Sequence, residues 1–197
     1  GITSYNRVLD RIGMYCGSTA VMVSAHQSIG CKAVMLYGTD EQKKLWLPHL
    51  SKDWLSAFCL SEPNVGCDAG GAETYFERDG DYYVITGEKK WATSGALANL
   101  FTVMAREKTP DGKGKISAIV MHPWIEGVDI FEKNRSKCGI RGTWQARIRF
   151  NKARVHKSHL LGKEGRGLQI ALAHHLDDTC KWLSAGVMED QKWTECK

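Results

Sequence analysis

Two segments hold the residues best suited to gripping a flat, polar-edged ring. They are Phe58-Cys59-Leu60-Ser61-Glu62-Pro63-Asn64-Val65-Gly66-Cys67-Asp68 and Gly87-Glu88-Lys89-Lys90-Trp91-Ala92-Thr93-Ser94-Gly95. Each starts as a strand and breaks into a turn rich in small polar residues. Such turns offer backbone N–H groups and a hydroxyl, Ser61 in the first and Thr93 in the second. Trp91 supplies an aromatic wall, so the pair can hold a heterocycle by its edges and cover one face. Neither segment is specific alone. The plainer reading makes Phe58, Leu60 and Trp91 ordinary strand residues facing a core.

The other reactive side chains form no second constellation. Seven cysteines stand at 16, 31, 59, 67, 138, 180 and 196, an odd count with no Cys-x-x-Cys pair. That argues against a disulfide framework or a zinc site and for a reducing compartment. His174 and His175 are neighbours and point apart on a helix, with no third ligand nearby, so no metal site is expected. Gly165-Arg166-Gly167 is too short for a phosphate loop, and entry into a helix explains it.

A chain of 197 residues makes one large or two small domains with a real core. Its 27 basic and 22 acidic residues leave a formal charge of +5, spread along the chain. This mild excess suits an anionic ligand such as a nucleotide and is not a nucleic-acid signature. No apolar run of about 18 residues is present, so no membrane span is expected. No cleavable signal or transit peptide is legible at the N-terminal end.

Residues 5–50 read as helices. Ala20-Val21-Met22-Val23-Ser24-Ala25-His26-Gln27-Ser28-Ile29-Gly30 suits a buried helix, and a second carries Lys32-Ala33-Val34-Met35-Leu36-Tyr37 and stops at Gly38. Thr39 caps a third with Gln42 three residues on, a capping box, and Pro48 is expected to end it. From 54 the apolar runs shorten and turns recur. Strands are expected at 55–61, 82–86, 100–106, 116–121, 128–131 and 146–150, forming a small antiparallel barrel or sandwich. After Leu160-Leu161-Gly162 a helix is expected over 168–186.

These motifs together resemble the acyl-CoA dehydrogenase family. Its pattern runs aromatic-Cys-hydrophobic-Ser/Thr-Glu-Pro-x-x-Gly-Ser-Asp, then Gly-x-Lys-x-Trp-Ile/Ala-Thr/Ser-Asn/Ser-Gly. Cys138-Gly139-Ile140-Arg141-Gly142-Thr143 is similar to a further family turn. Arg154-Val155-His156 with Leu160-Leu161-Gly162-Lys163-Glu164-Gly165-Arg166-Gly167 is similar to the family's exit from its barrel, where proline usually stands at the position of His156. Very-long-chain and isovaleryl-type members resemble it most. The resemblance implies a multi-domain α and β fold. Residues 1–53 would be a partial N-terminal helical domain, 54–162 an antiparallel β-barrel binding FAD and acyl-CoA, and 163–197 the first helix of a C-terminal helical domain.

The implied activity is FAD-dependent α,β-dehydrogenation of an acyl-CoA thioester to 2-enoyl-CoA. Phe58, Leu60, Ser61, Gly66, Cys67, Trp91, Ala92 and Thr93 would line the FAD, with Ser61 on the pyrimidine edge of the isoalloxazine and Thr93 on its N5 and O4 side. Cys67 stands where the family has Ser and would also touch substrate. A thiol is a larger, weaker donor, which puts affinity in question, and no basic neighbour in sequence activates it for redox chemistry. His26 would line the acyl pocket or be a satisfied core histidine. The family's usual base is a Glu farther along than Lys197. Counting from Gly167 without gaps puts Asp178 at an alternative base position and Thr179 at a position where Arg is usual; counting back from Ser184 puts Thr179 and Cys180 there. Asp178 is therefore either the base or a solvated or capping acid. Implied partners are acyl-CoA, an electron-transfer flavoprotein and further copies in a homodimer or homotetramer. The implied location is intracellular, the mitochondrial matrix in a eukaryote or the cytoplasm in a bacterium. Two rival readings share the fold: a non-catalytic binding or assembly module, and an acyl-CoA oxidase in which oxygen reoxidises the flavin.

Overall fold

The computed structural model describes residues 2–172. Four α-helices come first: α1 (Ile2–Tyr15), α2 (Gly17–Ala25), α3 (Cys31–Tyr37) and α4 (Asp40–Leu50). A π-helical turn, His26–Gly30, joins α2 to α3, so the single helix expected there is divided. Gly30 is required at its end. A Cβ on it would lie 2.0 Å from Ser56 Oγ, because the turn presses directly on the first strand.

Thr39 caps α4 as expected. Its Oγ1 accepts from Gln42 N–H, and Gln42 Oε1 accepts from Thr39 N–H. The Gln42 amide also donates to Ser158 O at 2.6 Å and Leu160 O at 2.9 Å, pinning α4 to the end of the sheet. Pro48 does not end α4, which runs on to Leu50. Proline removes one hydrogen bond. Burial of Trp46 and Leu50 on either side of it holds the last turn in place.

Eight strands follow: β1 (Ser56–Cys59), β2 (Tyr75–Asp79), β3 (Tyr82–Ala92), β4 (Leu100–Glu107), β5 (Ile116–Met121), β6 (Val128–Phe131), β7 (Ala146–His156) and β8 (Leu160–Leu161). They form one sheet in the order β6-β7-β3-β2-β4-β5-β8, with β1 also on β4. All six expected strands are present; β2 and β8 add to them. The sheet is mixed, which corrects the expectation of an antiparallel barrel. β1 pairs with β4 at 100–103 and β2 with β4 at 106–107, both in parallel. The reason is the long 60–74 connection. It carries the chain from β1 to β2 without reversing direction, so both strands lie end to end along one side of β4.

β5 is buried throughout and β4 from Leu100 to Ala105, because each has a core on both faces. Phe101, Val103 and Ile119 join Phe76, Ile85, Ile148 and Phe150 in the sheet's own interior. Leu100, Met104, Ala118 and Val120 face Val34, Trp46 and Leu50 of the helices in a second core. Residues 167–172 are helical, and Ile170 and Ala171 join that second core. The remainder of the helix expected over 168–186 lies outside the described residues.

Candidate functional site

The two motif segments meet edge to edge. Lys90 N–H donates to Ser61 O at 2.8 Å, laying the start of the 60–74 connection along β3. Beside that bond lies a buried ion pair. Lys89 Nζ donates to Glu62 Oε1 at 2.7 Å and to Leu60 O at 3.1 Å, with both charged side chains almost wholly buried. Glu62 also accepts from Glu73 N–H at 2.6 Å and Thr74 N–H at 3.0 Å, so it closes the connection into a loop. Burial pushes the Glu62 carboxyl up, but the Lys89 charge, its hydrogen bond and these backbone donors outweigh burial and hold it below its ordinary value. Glu62 and Lys89 sit inside the two motifs, yet reading those motifs as ring-binding turns assigned them no role. Opposite charges in otherwise strand-like segments were the available signal.

β3 breaks register against β7 between Lys89 and Ala92. Trp91 (φ 61°) and Ser94 (φ 60°) adopt left-handed backbone there. The irregularity turns Trp91 out of the sheet, leaving it 44 % exposed under the cations of Lys90 and Arg135, at 5.2 and 4.7 Å from its ring centroid. Thr93 is half-buried, and its Oγ1 accepts from Gln145 Nε2 at 3.4 Å. Its own O–H therefore remains available as a donor. Ser61 and Leu60 are half-buried, while Gly66 and Cys67 stand exposed on the loop. Phe58 packs in the second core and Ala92 in the first. Cys59 beneath the loop is chemically quiet, since burial pushes its thiol up to about 12 against the opposing pull of Lys89.

The far side of the loop is tied down by Arg106, whose guanidinium donates to Gly70 O, to Ala72 O at 3.1 Å and to Gly114 O at 2.6 Å. An open cleft of about 690 Å³ adjoins it, lined by Gly71, Tyr75, Arg106, Lys108 and Lys113 among others.

His26 is committed elsewhere. Its Nε2 donates to Leu50 O at 3.0 Å, and its Nδ1 accepts from Ser56 N–H at 3.2 Å. One ring nitrogen thus ties the π-helical turn to α4 and the other ties it to β1, in the manner of a satisfied core histidine. The Gly165-Arg166-Gly167 turn is also architectural. Gly165 N–H donates to Ser117 Oγ at 2.9 Å, and Glu164 accepts from Tyr83 OH at 2.9 Å and from Arg78. Thr143 closes its own turn onto Ile140 O, while Gly142 N–H donates to Ser18 of α2. Asp178, Thr179, His174 and His175 lie outside the described residues. Among the described residues no group of three or more His, Cys, Asp or Glu side chains is placed to hold a metal ion, and no helix is long and apolar enough to cross a membrane.

Comparison with known proteins places this geometry. The model of the acyl-CoA dehydrogenase N-terminal domain matches residues 1–53, and that of the acyl-CoA dehydrogenase middle domain matches residues 57–153. The mitochondrial very long-chain specific acyl-CoA dehydrogenase of Macaca fascicularis is 36 % identical over 178 residues, 86 % of this chain and 27 % of that protein. A crystal structure of an acyl-CoA dehydrogenase complexed with FAD from Bacillus anthracis is 34 % identical with a TM-score of 0.77, over 83 % of this chain and 28 % of that one. Butyryl-CoA dehydrogenase from Megasphaera elsdenii superposes with a TM-score of 0.83 at 29 % identity, over 88 % of this chain and 46 % of that one. The chain therefore spans between about a quarter and a half of the length of these relatives.

Proposed function

Because the chain belongs to the acyl-CoA dehydrogenase family, we propose that it forms part of an FAD-dependent enzyme that converts acyl-CoA thioesters to 2-enoyl-CoA. The observation that carries this reading is the Ser61–Lys90 backbone bond. It brings the Ser61 turn beside the end of β3, from which the Thr93 turn and an exposed Trp91 project. The residues fit a flavin. Trp91 offers a flat apolar face, Thr93 an uncommitted hydroxyl donor, and the open backbone around Gly66 leaves space against the loop. Ser61 holds the pyrimidine edge of the ring, Thr93 donates on its N5 and O4 side, and Leu60, Gly66 and Cys67 line the approach. Phe58 and Ala92 act from behind, as packing that fixes the two turns.

FAD supplies the hydride acceptor when bound. The chain's own residues orient it and exclude water from one face. The anionic end of acyl-CoA suits the cleft beside Arg106, where Arg106, Lys108 and Lys113 outnumber Glu73 and Glu107 in the lining next to the flavin loop. Asp178 is assigned the Cα proton, by the ungapped count from Gly167. An electron-transfer flavoprotein as acceptor, self-association into a dimer or tetramer, and a location in the mitochondrial matrix or bacterial cytoplasm follow from the same reading.

Reconstitution tests it. Purified chain incubated with FAD and desalted is expected to keep the visible flavin spectrum, and butyryl-CoA or longer thioesters are expected to perturb it. A colourless product after desalting, with no binding in a direct FAD titration, overturns the flavin assignment. Loss of thioester-dependent bleaching in Asp178→Asn, with FAD retained, identifies the base.

A further inference from the structure

A second cleft, of about 400 Å³, lies between α4, the turn after β5 and the end of β7. It is separate from the motif turns, since Arg154–His156 stands at the opposite end of β7 from Ala146, the residue paired with Ala92. Its volume falls in the range of small-molecule sites. Its walls are aromatic: Trp46, His49, Trp54, His122, Trp124 and His159. His122 stacks on Trp124 at 4.6 Å and 7°, and His49 stacks on Trp54 at 4.6 Å and 20°. Such faces accept a flat ring.

Hydrogen bonds set the polarity of this cleft. His122 Nδ1 lies 2.8 Å from Asn99 O, and His159 Nδ1 lies 3.1 Å from Val120 O. A carbonyl only accepts, so both Nδ1 atoms carry the proton and both Nε2 atoms are acceptors without a hydrogen-bond partner among the described residues. Burial lowers both imidazole pKa values, keeping the rings neutral. The outer end is reversed. Ser158 N–H donates to His156 Nδ1 at 3.2 Å, which puts the His156 proton on Nε2. Arg154 uses only Nε for Asp79, at 3.1 Å, and rests on the Tyr82 ring at 3.6 Å, leaving its two Nη groups uncommitted among the described residues. His122 is 6 % exposed, whereas Arg154 and His156 are exposed. The cleft thus has acceptors at its inner end, donors and a cation at its mouth, flat faces between them, and no carboxylate in its lining.

We propose that this cleft binds a free aminopurine nucleotide, with the ring against the exposed Trp124 indole, the amino group donating to the His122 and His159 Nε2 atoms, and the phosphate at Arg154 and His156. The observations fit a planar ring with a donor at one end and an anion at the other, and no carboxylate lines the cleft to take a cationic ligand. The inference stands apart from the flavin reading, since none of these residues belongs to the flavin turns.

The test titrates the whole chain with AMP, following tryptophan fluorescence and the histidine side-chain N–H resonances. Saturable quenching is expected, with shifts confined to His122, His156 and His159. Adenosine, lacking the phosphate, is expected to bind roughly tenfold more weakly or worse, the scale of one hydrogen bond to a charged group. Purine riboside 5′-monophosphate, lacking the amino group, is expected to bind several-fold more weakly. Arg154→Met, an exposed change that spares the core, should make AMP bind no better than adenosine. His159→Phe should remove the preference for the amino group, with an unchanged circular dichroism spectrum confirming the fold. Absence of saturable binding at millimolar AMP overturns the proposal. So does equal binding of ribose 5-phosphate, or AMP that binds only by displacing FAD.

Discussion

Lys89 and Glu62 carry opposite charges into a site closed to water, and neither is tolerable there alone. Removing one partner of a buried pair costs about 3–5 kcal/mol, because the other charge stays behind. Lys89→Met should therefore lower stability by about that amount in urea unfolding. Adding Glu62→Leu should recover only part of the loss, since the N–H groups of Glu73 and Thr74 would then lack their acceptor. The pair also sets an acid limit. The Glu62 carboxyl lies below its ordinary value of 4.5 in the folded protein, so its contribution is complete above that value and is lost as the pH falls below it. Urea midpoints measured across that range should decline in the wild type and much less in Lys89→Met. Parallel declines would place the acid sensitivity elsewhere. Thr93→Val keeps volume but removes the donor proposed for the flavin, and should weaken FAD binding by about 0.5–1.5 kcal/mol. Calorimetric titration giving the same affinity in both proteins would remove Thr93 from the flavin edge.

The elements meet where side chains are small or doubly employed. The π-helical turn touches β1 at Gly30, with His26 bridging Leu50 to Ser56 and Gln42 bridging α4 to Ser158 and Leu160. Gly30→Ala would drive a methyl group into Ser56, and overpacking of this kind costs about 1–3 kcal/mol. The Gly30→Ala, Ser56→Ala double variant should recover a smaller share than removal of a lone hydroxyl clash implies. Ser56 Cβ and the Ser56 carbonyl also stand within 3.0 Å of the added atom. Thermal unfolding of the wild type and both variants decides this, and a fully restored midpoint in the double variant would show that the hydroxyl alone was limiting.

At the scale of the whole molecule, two cores share β4 and β5, so helices and sheet should unfold together. Under the flavin reading, FAD bound to the native state alone should raise its stability by about 2.7 kcal/mol at a hundredfold excess over Kd. A single thermal transition that moves upward with FAD is expected, by fluorescence and circular dichroism alike. Two transitions with only one responding to FAD would show that the helices and the sheet are independent units.

The sequence alone determined six of the eight described strands, the Thr39 cap and the two motif turns, because hydrophobic alternation, capping and turn chemistry act over a few residues. Those same turns carried the family resemblance. Tertiary structure decided what depends on distant partners. Glu62 and Lys89 look like ordinary surface charges until the 60–74 loop brings them within 2.7 Å. Pro48 reads as a helix end until Trp46 and Leu50 are buried around it. The parallel ladders on β4 arise from where the long connection lays β2, which local periodicity does not encode. The aromatic cleft is assembled from α4, the turn after β5 and the end of β7. The polarity of its imidazoles is set by carbonyls at Asn99 and Val120, which no spacing in the sequence links to His122 or His159.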